Sequence, residues 1–72
     1  MATTILTRAG DLENGQGCGV GRTREIADQR AITMYIERRM GIDTRHDTPE
    51  HRQAKADIEA DISNGSLILV RF

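Results

Sequence analysis

The residues best suited to chemistry are histidines and carboxylates that lie close together in the second half of the chain. Five of them fall in one stretch: Asp43, His46, Asp47, Glu50 and His51. Imidazole and carboxylate groups can together bind a divalent metal. Two histidines five residues apart, however, do not share a helical face as an i, i+4 pair does. The spacing therefore favours a solvated turn with His51 at the edge of the core, and we expect no metal and no other cofactor.

A glycine-rich segment suggests phosphate binding as a second kind of chemistry. Glycine occupies every second position from 15 to 21, directly before Arg22, Thr23 and Arg24. Glycine backbones and helix N-termini both offer N–H groups to anions. The segment nevertheless lacks the lysine of a Walker loop, and its strict alternation does not match the dinucleotide fingerprint. Because glycine makes regular structure entropically unfavourable, we predict that residues 13–22 form a flexible loop or at best an irregular edge, with anion binding as the lesser alternative.

Catalysis is not expected from this composition. Cys18 is the single cysteine of the 72 residues, so no internal disulfide is possible, and the sequence ties no base to its thiol. A chain this short has enough large apolar side chains for one core but not for a core and a deep substrate pocket. We therefore predict a protein that is not an enzyme.

The elements that position these residues follow from periodicity and from capping signals. Residues 3–8 alternate and are rich in β-branched types, which predicts a strand. A first helix is predicted from a cap at Thr23 to Met40, with Gly41 as its left-handed stop. A cap at Thr48 begins the second helix.

The second helix is predicted to end at 64–65, and residues 66–72 follow as a strand that is apolar on both faces. The whole chain, residues 1–72, is thus predicted to form one small α+β domain in the order strand, helix, helix, strand. Two strands alone make a marginal sheet with open edges. We expect dimerisation or a partner to complete that sheet.

The first helix strengthens the expectation of a partner, because it carries two apolar stripes. One stripe consists of Ala27, Ala31, Met34 and Tyr35, and the second begins about a quarter-turn away. The second stripe is predicted to contact a partner and consists of Ile32, Ile36 and Met40. The pattern predicts a homodimer whose sheets or first helices meet, or else a face that a different protein covers.

Charge is nearly balanced in total but unevenly distributed. The formal net charge is −1, and an acidic row on one flank of the second helix is predicted to bind a basic surface of another protein, as a mimic of nucleic acid would. This row consists of Glu50, Asp57 and Asp61. The alternative is nucleic-acid binding by an arginine-rich face of a dimer. That face would consist of Arg22, Arg24, Arg30, Arg38, Arg39 and Arg45.

These observations together predict a non-enzymatic protein-binding module, an inhibitor or modulator of a larger macromolecular complex. Small motif-free proteins of this kind are common among phage and mobile-element genes, where they inhibit host nucleases and defence systems. The alternative function is a small dimeric nucleic-acid-binding regulator. The sequence shows no signal-peptide pattern and no apolar run of about 20 residues, so we expect a cytoplasmic protein without membrane contacts.

Overall fold

The computed structural model describes residues 1–11 and 16–72. These residues form a three-stranded antiparallel sheet and two helices. In chain order the elements are strand β1 (Ala2–Arg8), strand β2 (Gly17–Gly21), helix α1 (Arg24–Tyr35), helix α2 (Pro49–Asn64) and strand β3 (Leu67–Arg71). A π-helical segment, Ile36–Met40, extends α1. The sheet order is β2-β1-β3, so the α+β prediction is confirmed with one strand more than expected.

The helix ends lie where the capping signals place them. The Thr23 hydroxyl accepts a hydrogen bond from the Ile26 amide at 3.2 Å, and the Thr48 hydroxyl accepts one from the His51 amide at 3.1 Å. Gly41 has φ +66° and Gly65 has φ +87°, a left-handed conformation that glycine adopts without strain. Both helices therefore start and stop at the predicted residues, although the π-helical geometry at the end of the first was not predicted.

Strand β2 overturns the prediction of a flexible loop over residues 13–22. Residues 17–21 pair with β1 in a regular antiparallel register, with Gly19 opposite Thr4 and Cys18 opposite Ile5. Residues 13–15 of the predicted loop lie outside the described residues. Gly17, Gly19 and Gly21, whose amides anion binding would use, are instead paired with β1 in a β-ladder.

The spacing of the glycines has a steric cause. Gly17 and Gly19 face α1, and a Cβ on either one would overlap the backbone carbonyl of Ala31 or Ala27. Helix α1 therefore lies directly on the backbone of β2. The alternation is the period of two of a strand, with glycine wherever the helix leaves no room for a side chain.

Both helices cover the same face of the sheet, and one apolar core fills the space between the two layers. Thr4 and Leu6 of β1 are fully buried on this side. Leu67 of β3 also lies in the core. Among the described residues, the buried apolar side chains are Leu6, Ala27, Ala31, Ile32, Tyr35, Ile36, Ala54, Ile58 and Leu67.

The core corrects the prediction of an apolar partner face on the first helix. Ile32 and Ile36 are 6% and 1% exposed and lie in one cluster with Ala54 and Ile58 of α2. Met40 alone of the predicted stripe is exposed, at 39%. Within the protomer, Ile32 and Ile36 pack against α2 and the sheet, so these two are core residues rather than partner contacts.

A cluster of polar side chains lies where α1 meets β1 and the end of β3. The Thr4 hydroxyl donates to Asp28 Oδ1 at 2.5 Å, and Arg71 Nη2 lies 3.0 Å from Asp28 Oδ2. Arg24 donates to the carbonyls of Thr3 and Phe72, each at 2.9 Å. One helix is thereby attached through its side chains to both β1 and the C-terminal end of the chain.

Candidate protein-binding surfaces

An open groove of about 470 Å³ lies between the end of the first helix and the start of the second. Its apolar wall is formed by Met40, Ile42, Pro49 and Ala54. Polar side chains complete the lining: Glu50, Gln53 and Asp57. Hereafter we call these seven residues the acidic groove.

The groove depends on the left-handed turn at Gly41. That turn reverses the chain after the π-helical segment, and the Ile42 amide donates to the Ile36 carbonyl at 3.3 Å. Ile42 is thereby held partly buried against the core. Pro49 begins α2 on the opposite side, so the first turns of α2 and the segment from Met40 to Ile42 face each other across the groove.

The carboxylates of the predicted acidic row are not neutralised within the fold. The ion pairs of the described residues are Asp28–Arg71, Asp43–Arg45 and Asp47–Arg52, so in that part of the chain Glu50, Asp57 and Asp61 lack a basic partner. Asp57 accepts a hydrogen bond from Gln53 at 2.9 Å.

The structure brings two members of the acidic row together with one member of the apolar stripe. Glu50 and Asp57 line the acidic groove with Met40, and Asp61 follows Asp57 one helical turn later, outside the groove. Ile42 and Pro49 could not be recognised as groove residues from the sequence, because a wall built by two segments has no periodicity. The glycine stop at 41 was the available signal that the chain turns back there.

A second surface is the outer face of the sheet, opposite the helices. The register places Val20, Thr3 and Phe72 in one cross-strand row and Cys18, Ile5 and Val70 in the next. Ile68 continues this face on β3, next to Thr7. Thr7 is itself buried, and its hydroxyl donates to the Asp11 carbonyl at 2.6 Å. Hereafter we call the exposed and half-buried residues of this surface the outer sheet face: Thr3, Ile5, Cys18, Val20, Ile68, Val70 and Phe72.

The outer sheet face is apolar where an antiparallel sheet exposed to water is usually polar. Val20 is 40% and Phe72 is 69% exposed, while Ile5, Ile68 and Val70 are half-buried. None of its seven residues carries a charge, in a chain whose residues are 29% charged. The sequence predicts that the last strand is apolar on both faces, but the contribution of β2 to this surface was not predicted, because a loop was expected there.

The six arginines of the predicted nucleic-acid face do not act as one group. Arg24 is bound to main-chain carbonyls, Arg30 donates to the Val20 carbonyl at 2.6 Å, and Arg45 pairs with Asp43. Among the residues that the structure describes, Arg22, Arg38 and Arg39 have no such contact. Three of the six arginines of the predicted face are thus engaged in contacts within the protein, two with main-chain carbonyls and one with Asp43.

The candidate metal ligands are separated by their own contacts. The Arg45 amide donates to Asp43 Oδ1 at 2.8 Å, and the Arg45 side chain pairs with the same oxygen at 3.2 Å; these contacts hold the pKa of Asp43 below its ordinary value. Asp47 pairs with Arg52, and the His51 ring lies 3.2 Å from the His46 carbonyl. In the described part of the chain no three histidine, cysteine or acidic side chains are placed to hold a metal ion.

Comparison with known proteins adds no family to these observations, because no protein-family model, curated protein or solved structure matches the chain. Within residues 1–11 and 16–72, no helix has the length and apolar character needed to cross a membrane. Function must therefore be inferred from the fold and from its two surfaces.

Proposed function

We propose that this protein is a non-enzymatic protein-binding module that inhibits or modulates a larger complex by binding a basic segment of it. The observation that carries this proposal is the acidic groove, in which an apolar wall stands beside two carboxylates that have no basic partner among residues 1–11 and 16–72. An apolar wall provides area to bury, and unpaired carboxylates select the sign of the partner's charge.

The pairing pattern supports a basic partner in particular. Three other acids of the described chain form ion pairs with arginines, whereas Glu50, Asp57 and Asp61 form none there and lie on one flank of α2. Such a group of carboxylates accelerates association with a basic surface and disfavours acidic ones. The row extends past the groove through Asp61, so the bound segment would continue along α2.

The dimensions of the groove limit what it can hold. Pro49 and Asp57 are eight residues apart on α2, which is roughly 12 Å at about 1.5 Å per residue. This length suits two turns of a helix or a few residues of an extended strand. The partner segment would therefore present one or two apolar side chains to Met40, Ile42 and Ala54, flanked by lysines or arginines.

Selection from a random peptide display library, with the protein as bait, tests this proposal. The selected peptides should combine Lys or Arg with Leu, Ile, Met or Phe. Their affinity, measured by fluorescence anisotropy, should fall about tenfold or more in the triple variant E50Q/D57N/D61N, since charged contacts of this kind contribute most through long-range attraction. The affinity should also fall as salt rises.

Glu59 provides the matched control, because E59Q makes the same chemical change on the opposite flank of the same helix. Peptides should bind E59Q as they bind the wild type. Selected sequences that are acidic, or that bind the triple variant with unchanged affinity, would contradict the proposal.

Nucleic-acid binding remains the competing function, and one experiment separates the two. A gel shift with DNA and RNA at low salt should show no retention by the wild type. Salt-sensitive retention that is lost when Arg38 and Arg39 are both changed to Ala would instead support the arginine face.

A further inference from the structure

We propose that the outer sheet face is the interface of a homodimer, in which a second copy of this chain packs its own outer sheet face against the first. This inference concerns the opposite layer of the molecule from the acidic groove and is independent of it. Sheet-on-sheet packing of this kind joins two inner faces about 10 Å apart.

The absence of charged side chains on the outer sheet face favours a second copy of the chain as the partner. Because the seven residues carry no charge, a partner surface containing acids or bases would leave those charges buried without a counter-ion, which is unfavourable. A second copy presents a surface with the same uncharged, flat character and the same dimensions. A two-fold axis that passes near Ile5, parallel to β1, would place each cross-strand row opposite the same row of the second copy.

The size of the chain gives a second reason for a homodimer. A domain of about 70 residues buries a modest share of its surface, and natural domains of this size can gain stability from a disulfide, a metal or oligomerisation. A single cysteine excludes an internal disulfide. Pairing of the outer sheet faces would bury Val20 and Phe72, which are otherwise among the most exposed large apolar side chains.

The edge of the sheet formed by β2 is less suited to binding a second copy. Arg30 reaches from α1 and donates to the Val20 carbonyl at 2.6 Å, which occupies an acceptor that an added strand would need. Pairing on the face leaves this contact in place. It also leaves the helix layer free, so a dimer would carry two acidic grooves on its two outer sides.

The area of the face sets the strength expected of the dimer. Three strands spaced about 4.8 Å apart and rising about 3.4 Å per residue give a few hundred Å² per copy. That area is below the roughly 800 Å² per partner of a standard stable interface. We therefore expect weak, reversible dimerisation rather than a permanent dimer.

Sedimentation equilibrium across a concentration series tests the proposal, with V20K as the variant and M40K as the matched control. Val20 and Met40 are 40% and 39% exposed, so the same lysine is introduced at equal exposure on opposite layers. The wild type and M40K should dimerise alike, and V20K should need at least tenfold higher concentration. Circular dichroism and urea midpoints establish that both variants are folded.

The reaction rate of Cys18 with a thiol reagent identifies the interface directly, since Cys18 lies on the outer sheet face. Its rate should fall as the wild-type concentration rises through the dimerisation range, and should stay constant over that range in V20K. A wild type that stays monomeric up to about 1 mM overturns the proposal. So does a dimer in which the Cys18 rate does not change, because that dimer would use another surface.

Discussion

Arg71 on the last strand binds both carboxylate oxygens of Asp28 on the first helix, with Nη2 3.0 Å from Oδ2 and Nε 3.4 Å from Oδ1. The two residues are 43 positions apart in the sequence. Thr4 of β1 donates to the same carboxylate. Asp28 therefore joins α1 to β1 and β3, and it is largely buried, with 17% of its side chain exposed.

We predict that D28N lowers the free energy of unfolding by about 1–2 kcal/mol, because an amide accepts these hydrogen bonds less well than a carboxylate does. Urea unfolding followed by circular dichroism measures the change. The matched control is D43N, which removes an ion pair whose side chains are 82% and 45% exposed and should leave the urea midpoint unchanged. Equal effects of the two variants would show that the Asp28 contacts contribute nothing beyond those of a surface pair.

The same contacts predict an acid-dependent loss of stability. Burial raises the pKa of Asp28, but hydrogen bonds from Arg71 and Thr4 and the charges of Arg71 and Arg24 outweigh it and hold that pKa below its ordinary value. A lowered pKa contributes stability that is fully present above the unfolded value of about 4 and is lost as pH falls through the folded value.

As pH falls below about 5, the urea midpoint should therefore fall more steeply in the wild type than in D28N. A series of urea titrations at fixed ionic strength measures both slopes. Parallel slopes would show that other carboxylates account for the whole acid dependence.

The local signals in the sequence predicted the helix ends, and the reason is that caps act over three or four residues. Thr23, Thr48, Gly41 and Gly65 all have the roles that their types imply. Strand β2 was not predicted, because glycine disfavours strands when its neighbours are unknown. Only the position of α1, close against that backbone, makes glycine the required residue.

The candidate sites, like the fold, were predictable only where short-range spacing in the sequence determines them. The acidic row was predictable because helical spacing places Asp57 and Asp61 one turn apart. The groove beside it was not, because its apolar wall combines Met40, Ile42 and Pro49 from two segments. Ile32 and Ile36 were assigned to a partner face because periodicity shows that a stripe is apolar without showing which layer covers it.

The burial of Ile36 gives a prediction that separates core residues from surface residues on one stripe. I36A should lower the free energy of unfolding by about 3 kcal/mol, since truncating a buried aliphatic side chain leaves a cavity. M40A, on the same stripe, should change it by less than about 0.5 kcal/mol. Urea titration measures the free energy of unfolding of both variants. Similarly small losses in the two would show that Ile36 is not buried in the core.

M40A should nevertheless weaken binding of the peptides selected for the acidic groove, because Met40 forms part of its apolar wall. A several-fold loss of affinity with an unchanged urea midpoint is the expected result. Fluorescence anisotropy measures the affinity. Unchanged affinity would show that the peptides bind through charge alone.

The packing of α1 on β2 predicts that Gly19 tolerates no side chain. A Cβ at this position meets the Ala27 carbonyl and the Ala31 amide, which are backbone atoms of a helix and cannot move without displacing the whole element. G19A should therefore lower the free energy of unfolding by about 2–3 kcal/mol, at the upper range for overpacking. V20A, the adjacent change on the outer side of the same strand, should lower it by less than about 1 kcal/mol. Strand preference alone would make G19A slightly stabilising, because alanine is a better strand residue than glycine. A stable G19A would therefore mean that α1 does not lie against β2 in this way.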